Sequence, residues 1–191
     1  MTRRRSESEE RPSKKQKTSS GSVLSDETAL FESASSISEA FNSAKSLDTA
    51  VTTVSSTPFP SIVFDNLFSS DVLHEVKQEL LSQAYYPRKS DLFSYYGTND
   101  LSTSTDSPVA RLRSKLYSEE FTTFLQDATG VVLIPGKVDM SSHIYKRGDW
   151  LGCHDDDIAS TETGRRIAFI IYLVDEDWSE QDGGELALFD L

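Results

Sequence analysis

The sequence predicts an α+β fold in which a layer of helices supports a β-sandwich or jelly-roll. Apolar residues recur at helical spacing between about residues 70 and 130, whereas strand-like apolar runs follow from residue 131. Helices first and strands afterwards are typical of α+β proteins. The strands are too few to close a sandwich, so we expect a fold that is truncated before closure.

We predict that residues 1–56 are a disordered Ser/Thr-rich tail and that residues 57–191 are the folded domain. The tail has few aliphatic clusters, and such a segment buries too little apolar surface to offset its ordering entropy. Arg3–Arg5 and Lys14–Lys17 form two basic clusters. Short basic runs are typical of nuclear-import signals, and a solvated, charge-mixed tail explains them equally well.

A short strand at residues 60–64 and three helices are predicted next. Ser69 and Ser107 have the character of helix caps, Pro108 suits a first helical position, and Gly130 ends the third helix. Residues 85–106 are predicted to form a loop. The apolar faces of the helices comprise Val72, Val76 and Leu80, then Val109, Leu112 and Leu116, then Phe121, Phe124 and Leu125.

Two strands are predicted in the second half of the domain. Val138, Met140 and Ile144 alternate with polar residues, which indicates a half-buried strand. Residues 166–174 form an apolar run of the length of a buried sandwich strand, and Gly183-Gly184 indicates a turn.

The composition argues against several classes of protein. A net charge of −12 argues against direct nucleic-acid binding, which depends on clustered Lys and Arg. The single cysteine, Cys153, allows no intrachain disulfide, so a reducing compartment is expected. No stretch approaches the ~18 apolar residues of a membrane span. We therefore expect a soluble, intracellular protein.

The candidate chemistry lies at His154 and Asp156. Residues i and i+2 of an extended segment point to the same face, so both side chains can meet one metal ion, while Asp155 points away. Non-haem Fe(II) oxygenases use two His and one carboxylate on one face of the metal. A lone His-x-Asp is also explained by a loop histidine beside an acidic turn. Asp157 is expected to lie in a turn or to contact the metal ligands without binding the metal itself.

The motif is part of a longer ordered pattern. His154-Asp-Asp-Asp is followed by Gly164-Arg-Arg-Ile-Ala-Phe-Ile-Ile-Tyr-Leu173, Asp177-Trp178 and Gly183-Gly184-Glu-Leu186. Across about residues 58–191 the sequence resembles the ribosomal prolyl hydroxylases. These are the fungal termination-and-polyadenylation proteins and their animal counterparts, relatives of the hypoxia-sensing prolyl hydroxylases.

The resemblance implies a double-stranded β-helix that hydroxylates a prolyl residue of a small-subunit ribosomal protein, with a link to translation termination fidelity. It implies Fe(II), 2-oxoglutarate as co-substrate and L-ascorbate. His154 and Asp156 carry over as iron ligands. Tyr145 matches the family tyrosine that hydrogen-bonds 2-oxoglutarate. Tyr172 is a weaker candidate for the same pocket, and a core aromatic role explains it about as well.

The sequence departs from the family pattern after His154. No histidine follows His154, whereas the family uses a second iron-binding His and a distal Arg that pairs with the co-substrate. Arg165 and Arg166 come too early for that role and are interpreted as positioning or surface charges. We therefore expect an N-terminal fragment, nuclear and cytoplasmic, with a possible homodimer. The alternatives are a non-catalytic interaction module with a degenerate oxygenase fold, and an unrelated cupin-like metal binder.

Overall fold

The computed structural model describes residues 22–101, 106–136, 138–156, 164–175 and 177–189. The helices within these ranges are α1 (Glu27–Glu32), α2 (Ala34–Asn42), α3 (Ser70–Leu81), α4 (Pro108–Leu116) and α5 (Glu119–Thr129). The strands are β1 (Leu47–Asp48), β2 (Thr52–Ser55), β3 (Ser61–Phe64), β4 (Tyr86–Lys89), β5 (Phe93–Gly97), β6 (His143–Ile144) and β7 (Trp150–Leu151). A short 3₁₀ turn covers Glu180–Asp182. None of the described helices is long and apolar enough to span a bilayer.

The strands form two antiparallel sheets. One has the order β1-β2-β3, and the other has the order β4-β5-β6 with β7 also paired to β5. Tyr96 of β5 lies opposite Ile144 of β6, and Ser94 lies opposite Trp150 of β7. Strand β5 therefore fixes the positions of both short strands that lead to the candidate site. Helices together with antiparallel sheets confirm the predicted α+β class.

The core lies mainly between the helices. Phe124 of α5 packs against Phe31 at a ring-centroid distance of 5.8 Å and against Phe64 of β3 at 6.0 Å. The tightest packing involves six side chains that solvent hardly reaches: Leu24, Ile37, Val54, Val76, Val109 and Leu112. Each such burial contributes roughly 1.5–3 kcal/mol, so the helical layer is the stable base of the molecule.

The three predicted helices are confirmed, and the strand at residues 60–64 is found at Ser61–Phe64. The Ser107 side chain accepts a hydrogen bond from the Ala110 N–H at 3.1 Å, which caps α4. Helix α5 ends at Gly130, whose φ of 73° lies in the left-handed region that favours glycine. Ser69 precedes α3 without a side-chain cap bond.

The predicted disordered tail is wrong for residues 22–56. These residues form α1, α2, β1 and β2, and they bury Leu24, Ile37 and Val54. Their apolar side chains are separated by Ser and Glu, so the segment has low average hydrophobicity although one face of α2 is apolar. Residues 1–21, with both basic clusters, lie outside the described residues.

The predicted loop at residues 85–106 is also wrong, because β4 and β5 form a hairpin there. The Ser90 N–H donates to the Phe93 carbonyl at 2.9 Å and closes the turn. The aromatic residues of Phe93–Gly97 have strong strand preference, and the surrounding Ser, Asp and Asn obscured that signal. Of the predicted strand over residues 138–144, His143–Ile144 forms a ladder with β5. The Met140 and Ser142 carbonyls also accept hydrogen bonds from the Leu101 and Thr98 N–H groups.

Residues 166–174 do not form the buried sandwich strand that was predicted. No backbone hydrogen bond joins this segment to another part of the described chain. Ile171 and Leu173 pack against the core, whereas Ile170 is 58% exposed and Tyr172 48% exposed. A strand needs a partner to satisfy its backbone groups, and none of the described segments supplies one. One face of the apolar run is therefore packed and the other is open.

Candidate metal centre

The candidate site follows directly from the end of β7. The Gly152 N–H donates to the Leu92 carbonyl at 2.7 Å, which extends the pairing of β7 with β5. A Cβ atom at Gly152 would lie 3.1 Å from the Leu92 oxygen, so glycine suits this close approach. The chain then bends at Cys153. The sheet therefore sets the point from which His154 projects.

The His154 and Asp156 side chains lie close together. The Nε2 atom of His154 lies 3.5 Å from Oδ1 of Asp156. Both side chains are partly exposed, at 38% and 46% respectively, so they open to solvent. The segment bends at Cys153 and is not a regular strand. The juxtaposition therefore arises from local geometry after β7.

The second ring nitrogen of His154 is already engaged. Nδ1 lies 2.8 Å from the Gly152 carbonyl oxygen, and with its hydrogen on Nδ1 the ring donates to that carbonyl. Metal-binding histidines commonly donate their other ring N–H to a backbone carbonyl. This tautomer leaves the Nε2 lone pair free to face Asp156.

The pair has the chemistry and spacing of two metal ligands. Nitrogen and oxygen ligands at about 2.1 Å from a metal, set at right angles, place their donor atoms about 3 Å apart. The observed 3.5 Å needs only a small closure. An imidazole and a carboxylate are two of the three ligands of a 2-His-1-carboxylate iron site. Within the described residues, no third His, Cys, Asp or Glu joins them.

Tyr145 and Tyr172, the predicted co-substrate residues, are neighbours in the structure. Burial raises the pKa of the Tyr145 hydroxyl, and Tyr95, Tyr172 and Asp149 raise this pKa further. Both side chains are partly exposed, at 43% for Tyr145 and 48% for Tyr172. The Tyr145 hydroxyl is therefore protonated at neutral pH and available as a hydrogen-bond donor.

His143 contacts an aromatic residue of β5 and a nearby serine. Its ring lies 4.4 Å from the Tyr95 ring, and its Nε2 lies 3.2 Å from the Ser141 hydroxyl. Burial lowers the pKa of His143, and Arg88 lowers it further. Cys153 is exposed at the bend. Asp157 lies outside the described residues.

Sequence reasoning missed two connections of the site. Arg165 lies 3.8 Å from Oδ1 of Asp156 and donates to Asp139 at 2.7 Å. The carbonyl of Gly152 orients His154, as described above. An Arg close to a His-x-Asp motif was visible in the sequence, but its partner Asp139 lies in an irregular segment that no periodicity identifies.

Part of the chain matches a known protein family. The model of the 2OG-Fe(II) oxygenase superfamily matches residues 140–191, the segment that carries the His154–Asp156 pair. That family implies a jelly-roll fold, with Fe(II) and 2-oxoglutarate as cofactor and co-substrate.

Among curated proteins, the chain is similar to several prolyl hydroxylases. It is 40% identical to prolyl 3-hydroxylase OGFOD1 of Xenopus laevis over 70% of this chain and 25% of that protein. It is 37% identical to prolyl 3,4-dihydroxylase OGFOD1 of Ostreococcus tauri over 69% of this chain and 27% of that protein. It is 38% identical to prolyl 3-hydroxylase OGFOD1 of Mus musculus over 70% of this chain and 23% of that protein.

The chain thus spans about a quarter of the length of the curated relatives it matches. The segment matched by the family model includes β6, β7 and the paired donors that follow them. Residues 140–191 match the 2OG-Fe(II) oxygenase superfamily, and about 70% of the chain is similar to prolyl hydroxylases.

Proposed function

We propose that the protein acts as an Fe(II)- and 2-oxoglutarate-dependent prolyl hydroxylase in which His154 and Asp156 are two of the iron ligands. The observation that carries this proposal is the 3.5 Å approach of His154 Nε2 to Asp156 Oδ1. The orientation of His154 by the Gly152 carbonyl supports it. When bound, the iron supplies the redox chemistry that couples oxygen and 2-oxoglutarate to hydroxylation.

Tyr145 is proposed to bind 2-oxoglutarate. Its protonated hydroxyl donates to a carboxylate of the co-substrate, and Tyr172 lines the same pocket. A neutral hydrogen bond contributes about 1 kcal/mol net, which corresponds to about a fivefold change in affinity. Tyr145→Phe is therefore expected to weaken 2-oxoglutarate binding about fivefold, with Tyr172→Phe as the comparison. Equal affinity in Tyr145→Phe and the unaltered protein would remove Tyr145 from the site.

The proposed substrate is a prolyl residue of a small-subunit ribosomal protein, with L-ascorbate keeping the iron reduced and with a link to translation termination fidelity. The similar proteins are prolyl hydroxylases, which supports prolyl hydroxylation. The net charge of −12 favours a basic partner protein. Incubation with small-subunit proteins, followed by mass spectrometry for hydroxyproline, tests the substrate.

Nuclear and cytoplasmic localisation is proposed from the two basic clusters. Since residues 22–56 belong to the fold, the import signal is assigned to residues 1–21 alone. A fluorescent reporter fused to residues 1–21 should enter the nucleus, and the same fusion with Lys14, Lys15 and Lys17 changed to Ser should not. A uniform distribution of the first fusion contradicts this proposal.

Metal binding is the direct test of the site. Mn(II), a redox-inert substitute for iron, is titrated into the anaerobic chain with 2-oxoglutarate present, and free Mn(II) is followed by electron paramagnetic resonance. We expect weak binding, because two donors form an incomplete facial set. In a separate assay with Fe(II) and oxygen, we expect no succinate release from this chain. His154→Ala and Asp156→Ala should abolish the binding, whereas Asp155→Ala should retain it.

The second candidate is a non-catalytic interaction module with the same fold. It is favoured by the finding that His154 and Asp156 gain no third donor among the described residues. Under this alternative, the unaltered chain shows the same negligible Mn(II) binding as His154→Ala. The titration therefore separates the two functions.

A further inference from the structure

Arg165 stands between two carboxylates at the edge of the candidate site. One guanidinium nitrogen donates to Asp139 Oδ2 at 2.7 Å, and the other lies 3.8 Å from Asp156 Oδ1. The same Asp156 oxygen faces His154 Nε2. The guanidinium is thus hydrogen-bonded to Asp139 and is only near Asp156.

The two distances have different chemical consequences. A hydrogen bond at 2.7 Å holds the guanidinium on Asp139, whereas 3.8 Å is too long for a hydrogen bond to Asp156. At that distance the positive charge favours one orientation of the Asp156 carboxylate, yet it leaves the lone pairs of Oδ1 unoccupied. Asp139 also balances the arginine charge, which reduces its repulsion of a nearby metal cation.

Asp139 is itself attached to the helical layer. The Tyr117 hydroxyl, just after α4, donates to the Asp139 backbone carbonyl at 2.7 Å. The Tyr117 ring packs near Phe169 at 6.2 Å, four residues beyond Arg165. A continuous chain of contacts therefore runs from α4 through Asp139 and Arg165 to Asp156.

We propose that Arg165 is a positioning residue that orients Asp156 for metal binding, and that Asp139 restrains Arg165 from taking the metal's place on Asp156. This inference rests on the proposed function. Arg165→Met should weaken Mn(II) binding about tenfold, the lower end for residues that support metal ligands, because the ion pairs are partly exposed. Arg166→Met is the matched control, since Arg166 forms no ion pair with another described residue.

Asp139→Asn separates positioning from general structural support. Without the Asp139 charge, Arg165 is free to close on Asp156 and compete with the metal, so Mn(II) binding should fall below that of Arg165→Met. The double variant Asp139→Asn/Arg165→Met should return to the level of Arg165→Met alone. The inference would be overturned if the losses of Mn(II) affinity of the two single variants added in the double variant. It would also be overturned if Arg165→Met bound Mn(II) more tightly than the unaltered chain.

A metal-free measurement keeps this inference separate from the proposed function. The side-chain ¹³C carboxyl resonance of Asp156, assigned by comparison with Asp156→Asn, is recorded in the metal-free chain. Arg165→Met should shift or broaden this resonance, and Arg166→Met should not. If the unaltered chain binds no Mn(II), the proposed function fails, and the Asp156 resonance alone then tests the role of Arg165. An unchanged Asp156 resonance in Arg165→Met would reject that role.

Discussion

The imidazole of His154 is held by the backbone of Gly152, two residues earlier, through a 2.8 Å contact between Nδ1 and the carbonyl oxygen. The amide of the same glycine donates to Leu92 at 2.7 Å. One residue thus connects the β5–β7 ladder to the candidate ligand. The orientation of His154 therefore depends on the close approach of the Gly152 and Leu92 backbones.

Gly152→Ala is therefore expected to impair metal binding. The added methyl group would lie 3.1 Å from the Leu92 oxygen, so the backbone must shift and the carbonyl that orients His154 moves with it. We expect Mn(II) affinity to fall about tenfold, in the range seen when the groups behind metal ligands are lost. The titration described above measures this, and Cys153→Ala, at the exposed neighbouring position, should leave the affinity unchanged.

Ile37→Ala tests whether α2 belongs to the folded unit. Ile37 is fully buried, so its truncation should lower the free energy of unfolding by about 2–5 kcal/mol. Ser36→Ala, at an exposed position of the same helix, is the control and should change it by less than about 0.5 kcal/mol. Urea unfolding followed by circular dichroism gives both values. Equal unfolding free energies for Ile37→Ala and Ser36→Ala would support the disordered tail that was predicted for this region.

The two faces of residues 166–174 should respond differently to polar substitution. Ile170 is 58% exposed, whereas its neighbour Ile171 packs against the core. Ile170→Thr should raise solubility with little change in unfolding free energy, because it removes apolar surface that promotes association. Ile171→Thr should instead lower the unfolding free energy by about 1–3 kcal/mol, since it places a hydroxyl among apolar groups. Light scattering and thermal unfolding measure the two effects.

His143 should make the protein less stable in mild acid. Burial lowers the pKa of the folded-state imidazole, and Arg88 lowers it further, so the unfolded chain binds a proton more readily than the fold. Stability is therefore complete above the unfolded pKa of about 6.5 and falls as the pH drops below it towards the lower folded pKa. His143→Gln should lose less stability between pH 7 and pH 5 than the unaltered protein, as measured by urea unfolding. A parallel loss in both proteins would exclude His143 as the cause.

The helices could be predicted from sequence because their signals are local. Ser107-Pro108 marks a start, Gly130 marks an end, and the buried positions Val72, Val76 and Leu80 recur at helical spacing. The two-residue spacing also identified His154 and Asp156 as candidates, and their side chains lie 3.5 Å apart on a bent segment rather than on a regular strand. Such features need no knowledge of distant residues.

The errors concern structure that depends on partners. Residues 166–174 have the composition of a buried strand, but a strand forms only where a neighbour offers a ladder. The β4–β5 hairpin was missed because polar residues interrupt its apolar pattern. In the fold, β6 and β7 both pair with β5 and support the hairpin. Arg165 meets Asp139 across 26 positions, a contact that no local pattern encodes.

The order of the elements along the chain has a consequence for synthesis on the ribosome. Helices α1–α5 end at Thr129, and the most deeply buried side chains all precede residue 130. N-terminal elements fold first as a chain emerges, so the helical layer can be assembled before His143, His154 and Arg165 leave the exit tunnel. The segments that carry the candidate site then pack onto a helical layer that has already formed. The candidate metal site is thus the last of these parts to be placed, and its geometry depends on a helical layer that is already rigid.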